Sequence, residues 1–164
     1  MRASTRLLRM LTTSVAIGAC FALTTPASAQ DAGAQAAYRD IERTLGVLPG
    51  FFKAFPESGI AGAWSEFKSL QLNPGTSLDN KTKQLIGLAV SAQIPCQYCI
   101  YFHAAVARAN GATDAEISEA VAMAAMTRHW STVLNGMEID FATFKKETDT
   151  VLRLGAEKAK AASK

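Results

Sequence analysis

Outside its first residues the chain has no stretch long and apolar enough to cross a membrane, no strand-length alternation of apolar and polar residues, and no internal repeat. The first absence argues against stable membrane insertion, the second against a sheet, and the third against a solenoid. A basic cluster is also missing, so nucleic acid is not an expected partner. Only three cysteines and two histidines occur in the 164 residues. With Cys20, Cys96 and Cys99 as the whole set of thiols, there is no second close pair to complete a four-cysteine zinc site. Ile100, not histidine, follows Cys99, which excludes covalent haem attachment.

Acidic residues are absent from positions 1–29, which hold Arg2, Arg6 and Arg9. An apolar run from Met10 to Leu23 falls short of the roughly 20 residues of a spanning helix. Ala27-Ser28-Ala29 then supplies small residues before Gln30. This is the layout of a secretory signal peptide at 1–29, followed by one domain at 30–164 in an exported, periplasmic protein. An alternative takes Ile17-Gly18-Ala19-Cys20 as a lipoprotein processing box, although Phe21 follows where a polar tether is expected. Loss of three arginines and no acid takes the formal net charge from +3 to 0. Export would leave Cys96 and Cys99 as the only thiols, in a compartment where disulfides persist.

The remaining signals are helical and predict an all-α domain of about six helices. Ala37, Tyr38, Ile41 and Leu45 form one apolar stripe, ended by Gly46, and Ile60, Ala63, Trp64, Phe67 and Leu70 form a second, stopped by Asn73-Pro74-Gly75. Asp79 can cap a third helix, whose Leu85, Ile86, Leu88, Ala89 and Val90 surround the axis on most sides and predict a buried central element. Pro95 resets the chain and suits the first turn of a helix, placing Cys96 in an opening turn that leads to Asn110-Gly111. Thr113-Asp114-Ala115-Glu116 fits a capping box, and a last helix is expected from near Thr127 or after Asn135-Gly136, with Phe141, Phe144, Val151 and Leu152 as its stripe. The Lys/Ala tail from Glu157 reads as a frayed helix end.

The chemistry concentrates in Cys96-Gln97-Tyr98-Cys99-Ile100-Tyr101-Phe102-His103. At about 100° per residue, positions i, i+3 and i+7 share a helix face, so the two thiols and the imidazole fall together. A thiol attacks as its thiolate, and two devices favour ionisation here. The helix N-terminus acts most on Cys96, whereas His103 stands one turn from Cys99 and can take its proton. The dipole thus favours Cys96 as attacker and the base favours Cys99. Two bland readings stand beside the dithiol: an inert structural disulfide in a non-enzymatic helical oligomer, and a metal site drawing on His103 and His129. His129, between Arg128 and Trp130, reads better as a packed or surface residue.

From Leu78 to Met126 the chain resembles the AhpD-like alkylhydroperoxidase family of the carboxymuconolactone decarboxylase superfamily: a buried helix, then Cys-x-x-Cys-x-x-x-His, then Asn-Gly-Ala-Thr and an alanine-rich helix. The resemblance implies an all-helical fold assembled as homotrimers or larger rings, and no cofactor or metal. It implies that Cys99 attacks a peroxide, Cys96 resolves the intermediate to a disulfide, and His103 belongs to a proton relay. Two positions depart from the family pattern. Gln84 stands where a relay glutamate is usual, and Tyr98 where characterised peroxidases have a second histidine, so Gln84 and Tyr98 can support the site only without exchanging protons at neutral pH. The implied partners are a small hydroperoxide or a protein disulfide as substrate, and a dithiol reductant that export would make different from the cytosolic carriers. Exchange without peroxidase activity is the further alternative. The decarboxylase chemistry of the superfamily's namesake would want a cationic anchor, which the motif region does not offer.

Overall fold

The computed structural model describes residues 27–163. The expected leader and the alternative processing site at Cys20 lie outside the described residues, apart from Ala27 to Ala29, which begin the first helix. Among the described residues seven α-helices follow one another: α1 Ala27–Leu45, α2 Gly50–Lys53, α3 Glu57–Glu66, α4 Asn80–Gln93, α5 Gln97–Ala109, α6 Asp114–Gly136 and α7 Phe141–Ala162. A π-helical segment, Phe67–Gln71, continues α3. No strand occurs among the described residues, and no helix there is long and apolar enough to cross a membrane.

Two units divide the chain, one up to Trp64 and one from Ser65. In the first, the α1 stripe folds inward at Ala37, Tyr38 and Ile41, whereas Leu45 at its end is exposed. Gly46 adopts φ +79°, and its N–H returns to Glu42 O at 2.8 Å, the left-handed closure that a side chain would resist. Ile60 and Trp64 are buried on α3, and Trp64 Nε1 donates to Asp40 Oδ2 at 2.7 Å, which satisfies the indole's one polar atom. The single-turn α2 brings Phe52 edge-on to Trp64 with centroids 5.6 Å apart.

In the second unit α4 packs most extensively on α5 and then on α6. Asp79 caps α4 through Thr82 N at 2.8 Å. Thr113 and Glu116 form the reciprocal capping box that opens α6. Lys81 Nζ lies 2.7 Å from Glu116 Oε1, tying the starts of α4 and α6 together. That ammonium, with the Thr113 backbone N–H, holds the Glu116 carboxyl down to about 2. Gly111 closes α5 at φ +83°.

Two expectations are corrected. Helix α6 runs unbroken to Gly136, so of the two expected starts for the last helix the one near Thr127 fails and the one after Asn135-Gly136 holds; α7 begins after Asp140, whose side chain accepts from Thr143 N. Helix α4 is not enclosed on every side, because Ile86 and Val90 are about half exposed while Leu88 is buried. One face meets α5 and α6, and the other is left as apolar surface of the single chain.

Candidate redox site

Cys96 is the N-cap of α5 and not a member of its first turn. Pro95 precedes it, its backbone is extended, and its N–H reaches back to Ser91 O at 3.1 Å near the end of α4. Its Sγ accepts the N–H of Cys99 at 3.2 Å, the role that serine or aspartate usually fills at a cap. Cys96 and Cys99 are joined in a disulfide, with Cα atoms 5.3 Å apart. Both are partly exposed, so a small oxidant or a partner thiol can reach them.

One turn further along α5, His103 turns toward α4. Its Nδ1 lies 2.8 Å from Gln84 Oε1. Gln84 is only 1 % exposed, and the same oxygen accepts Gln71 Nε2 at 2.8 Å. An amide oxygen can only accept, so with this placement His103 Nδ1 carries the ring proton and Nε2 keeps its lone pair. Burial lowers the His103 pKa below its ordinary 6.5, which keeps the ring neutral at pH 7. The result is a neutral imidazole, one turn from Cys99 along α5, whose Nε2 keeps a lone pair.

The imidazole needs room, and Gly87 supplies it. A Cβ at that position would fall 2.4 Å from His103 Cε1, 2.6 Å from Nδ1 and 2.7 Å from Nε2, closer than side-chain carbons approach. Ser91, buried one turn on, donates from Oγ to Gly87 O at 2.6 Å. Gln84, Gly87 and Ser91 on α4 therefore repeat the three-then-four spacing of Cys96, Cys99 and His103 on α5. Phe102 lies edge-on to the imidazole, with centroids 5.2 Å apart, and is tilted against Phe67 at 6.2 Å. No Asp, Glu, Lys or Arg occurs between Lys83 and Arg108, so the surroundings are polar only where these few groups are polar.

Of the residues singled out from sequence, Cys96 is joined to Cys99 and, one turn further along α5, His103 to Gln84. Tyr98 does not join them: it is 79 % exposed and makes no hydrogen bond among the described residues. His129 sits on α6 with its ring edge-on to Trp130 at 5.5 Å. No group of three or more His, Cys, Asp and Glu able to hold a metal occurs among the described residues. Gln71, Gly87 and Ser91 were not anticipated. A lone glycine within the apolar pattern of α4 was the one available signal, since such a glycine marks a close approach.

Three comparisons bear on this arrangement. The carboxymuconolactone decarboxylase family matches residues 59–140. Uncharacterized protein 4 in the cox locus of Paracoccus denitrificans is 38% identical over 85 residues, which are 49% of this chain and 77% of that protein. The crystal structure of the alkylhydroperoxidase AhpD core from Rhodospirillum rubrum is similar with a TM-score of 0.58 and 28% identity, over 74% of this chain and 93% of that one.

Proposed function

The chain belongs to the carboxymuconolactone decarboxylase family, and from that premise we propose that it is an exported thiol oxidoreductase that reduces hydroperoxides through Cys96 and Cys99. The observation that carries the reading is the pairing of a reachable disulfide with a half-buried, neutral His103 whose Nδ1 is bonded to Gln84. In the reduced protein His103 Nε2 takes the proton of Cys99, and the thiolate attacks the peroxide's outer oxygen. An alcohol or water leaves, and Cys99 becomes a sulfenic acid. Cys96 then displaces the sulfenic oxygen as water and restores the disulfide. A dithiol donor returns two electrons and two protons.

Gln84 and Tyr98 set the rate expected of this cycle. Gln84 orients His103 but cannot pass its proton onward, and Tyr98 is 79 % exposed and makes no hydrogen bond among the described residues. General-base assistance is commonly worth about 10²- to 10⁴-fold, so a relay that ends at an amide should turn over slowly. Hydroperoxide consumption with a dithiol donor is the test, run on the protein beside its Gln84→Glu and Tyr98→His variants. Slow turnover that Gln84→Glu accelerates supports the proposal. Absence of catalytic consumption in all three proteins sinks it.

A second reading, disulfide exchange with a protein substrate, is favoured by Tyr98 and Tyr101, which are both 79 % exposed beside the disulfide and offer a partner a broad aromatic surface. Self-assembly as a homotrimer or larger ring is part of the same proposal. It is supported by the groove of Val90, Ile94, Met123 and Ala124 between α4 and α6, whose first three residues are about half exposed or more in the single chain.

A further inference from the structure

Gln84 can present either end of its amide to His103, and the two ends have opposite consequences. The oxygen forces the proton onto Nδ1 and frees Nε2; the NH₂ group would bond a bare Nδ1 and force the proton onto Nε2, where it blocks the transfer from Cys99. The two orientations have nearly the same shape, so packing alone does not choose between them. The neighbour on the other side of Gln84 breaks the tie according to which end of its own amide it presents, and it presents the donor. Gln71 Nε2 donates to Gln84 Oε1 at 2.8 Å, on the same oxygen that meets His103. Gln71 is the last residue of the π-helical segment, whose wide turn is closed by Leu72 N–H to Phe67 O at 3.3 Å. Such turns disfavour regular hydrogen bonding and recur at functional positions.

We infer that Gln71 is a positioning residue: as a hydrogen-bond donor it sets the polarity of the Gln84 amide, and through that amide the tautomer of His103. The inference rests on the reading of His103 as the proton acceptor for Cys99. It can be tested without any substrate, so a failure of peroxide turnover and a failure of this inference are separate results.

The test compares a donor with an acceptor at position 71. Gln71→Lys can only donate, and Gln71→Glu can only accept when ionised. Imidazole ¹⁵N spectra of the full-length protein with the disulfide intact, above the His103 midpoint, report which nitrogen carries the proton; His129→Gln removes the other histidine signal. The wild type and Gln71→Lys should show Nδ1–H. Gln71→Glu should turn the Gln84 amide and show Nε2–H, and after reduction its Cys99 should alkylate about 10²-fold more slowly at neutral pH. A wild type with Nε2–H overturns the inference, as does Gln71→Glu with Nδ1–H. Equal loss of Nδ1–H in Gln71→Lys and Gln71→Glu also overturns it, because that marks a role in packing alone. Should Gln71→Glu not fold, Gln71→Met offers no donor and should give mixed tautomers; an unmixed Nδ1–H population there counts against the inference.

Discussion

The α4 and α5 pair and helix α7 carry comparable apolar stripes, yet they are used in opposite ways. On α4 and α5 polar atoms are few and occupied: Gln84 receives two donors, Ser91 Oγ donates to a carbonyl, and no charged side chain occurs from 84 to 107. On α7 no residue is buried, and its Phe141, Val151 and Leu152 are each at least two-thirds exposed. Its polar groups work along the helix itself, as Thr148 Oγ1 does to Phe144 O at 2.8 Å and Arg153 to Glu157 at 2.8 Å. An amphipathic pattern therefore states that a helix has an apolar face, and only a facing surface of matching shape turns that face into a core. Close approach is what α4 and α5 have, through Gly87, against which the His103 ring lies.

The contrast makes graded demands on substitutions. The largest effect belongs to the disulfide: Cys99→Ser should abolish hydroperoxide turnover with a dithiol donor, and persistent turnover would remove the α4 and α5 pair from the chemistry. Next comes Gly87→Ala. The added carbon should expel the imidazole, slow Cys99 alkylation by about 10²- to 10⁴-fold, and bring the variant close to His103→Ala. A Gly87→Ala protein alkylating at the wild-type rate would show that the ring need not sit against α4.

Stability should divide the regions in the same order. Gln84→Leu strands the donors of Gln71 and His103 in a partly buried place and should cost about 1–3 kcal/mol in denaturant unfolding. His103 adds a pH signature whose sign follows from its lowered pKa. The unfolded chain takes up a proton near 6.5 and the folded chain only at lower pH, so stability should decline as pH falls from about 6.5 to the folded midpoint. His103→Gln should flatten that part of the curve, and the ring's own NMR titration should place its midpoint below 6.5. The smallest effect is expected on α7, where Leu152→Ser should change stability by no more than about 0.5 kcal/mol. A larger loss that grows with protein concentration would break the comparison, because it would mean that a second chain covers α7.

Much of this was legible in sequence because it depends on short spacings. Asp79 and Thr113 start helices, Gly46 and Gly111 end them, and Cys96, Cys99 and His103 share a face simply through three and seven residue steps. Cys96 was misplaced by one position because proline suits both the residue before a cap and the first turn after it. The Gln71 contact was out of reach, since it joins residues on either side of the Asn73-Pro74-Gly75 turn and needs the tertiary fold to appear. Ile86 and Val90 read as core because sequence cannot tell a face buried within one chain from one left for another surface.

The cap formed by Cys96 has an evolutionary consequence. Serine, threonine, aspartate and asparagine are all good helix caps, and each could accept the Cys99 N–H that the sulfur now accepts. A single codon change to serine at position 96 would leave the start of α5 intact and end the dithiol cycle. Scaffold and chemistry are thus inherited separately at this residue, and descendants of such a chain can keep the whole helical framework for other work after the thiol has gone.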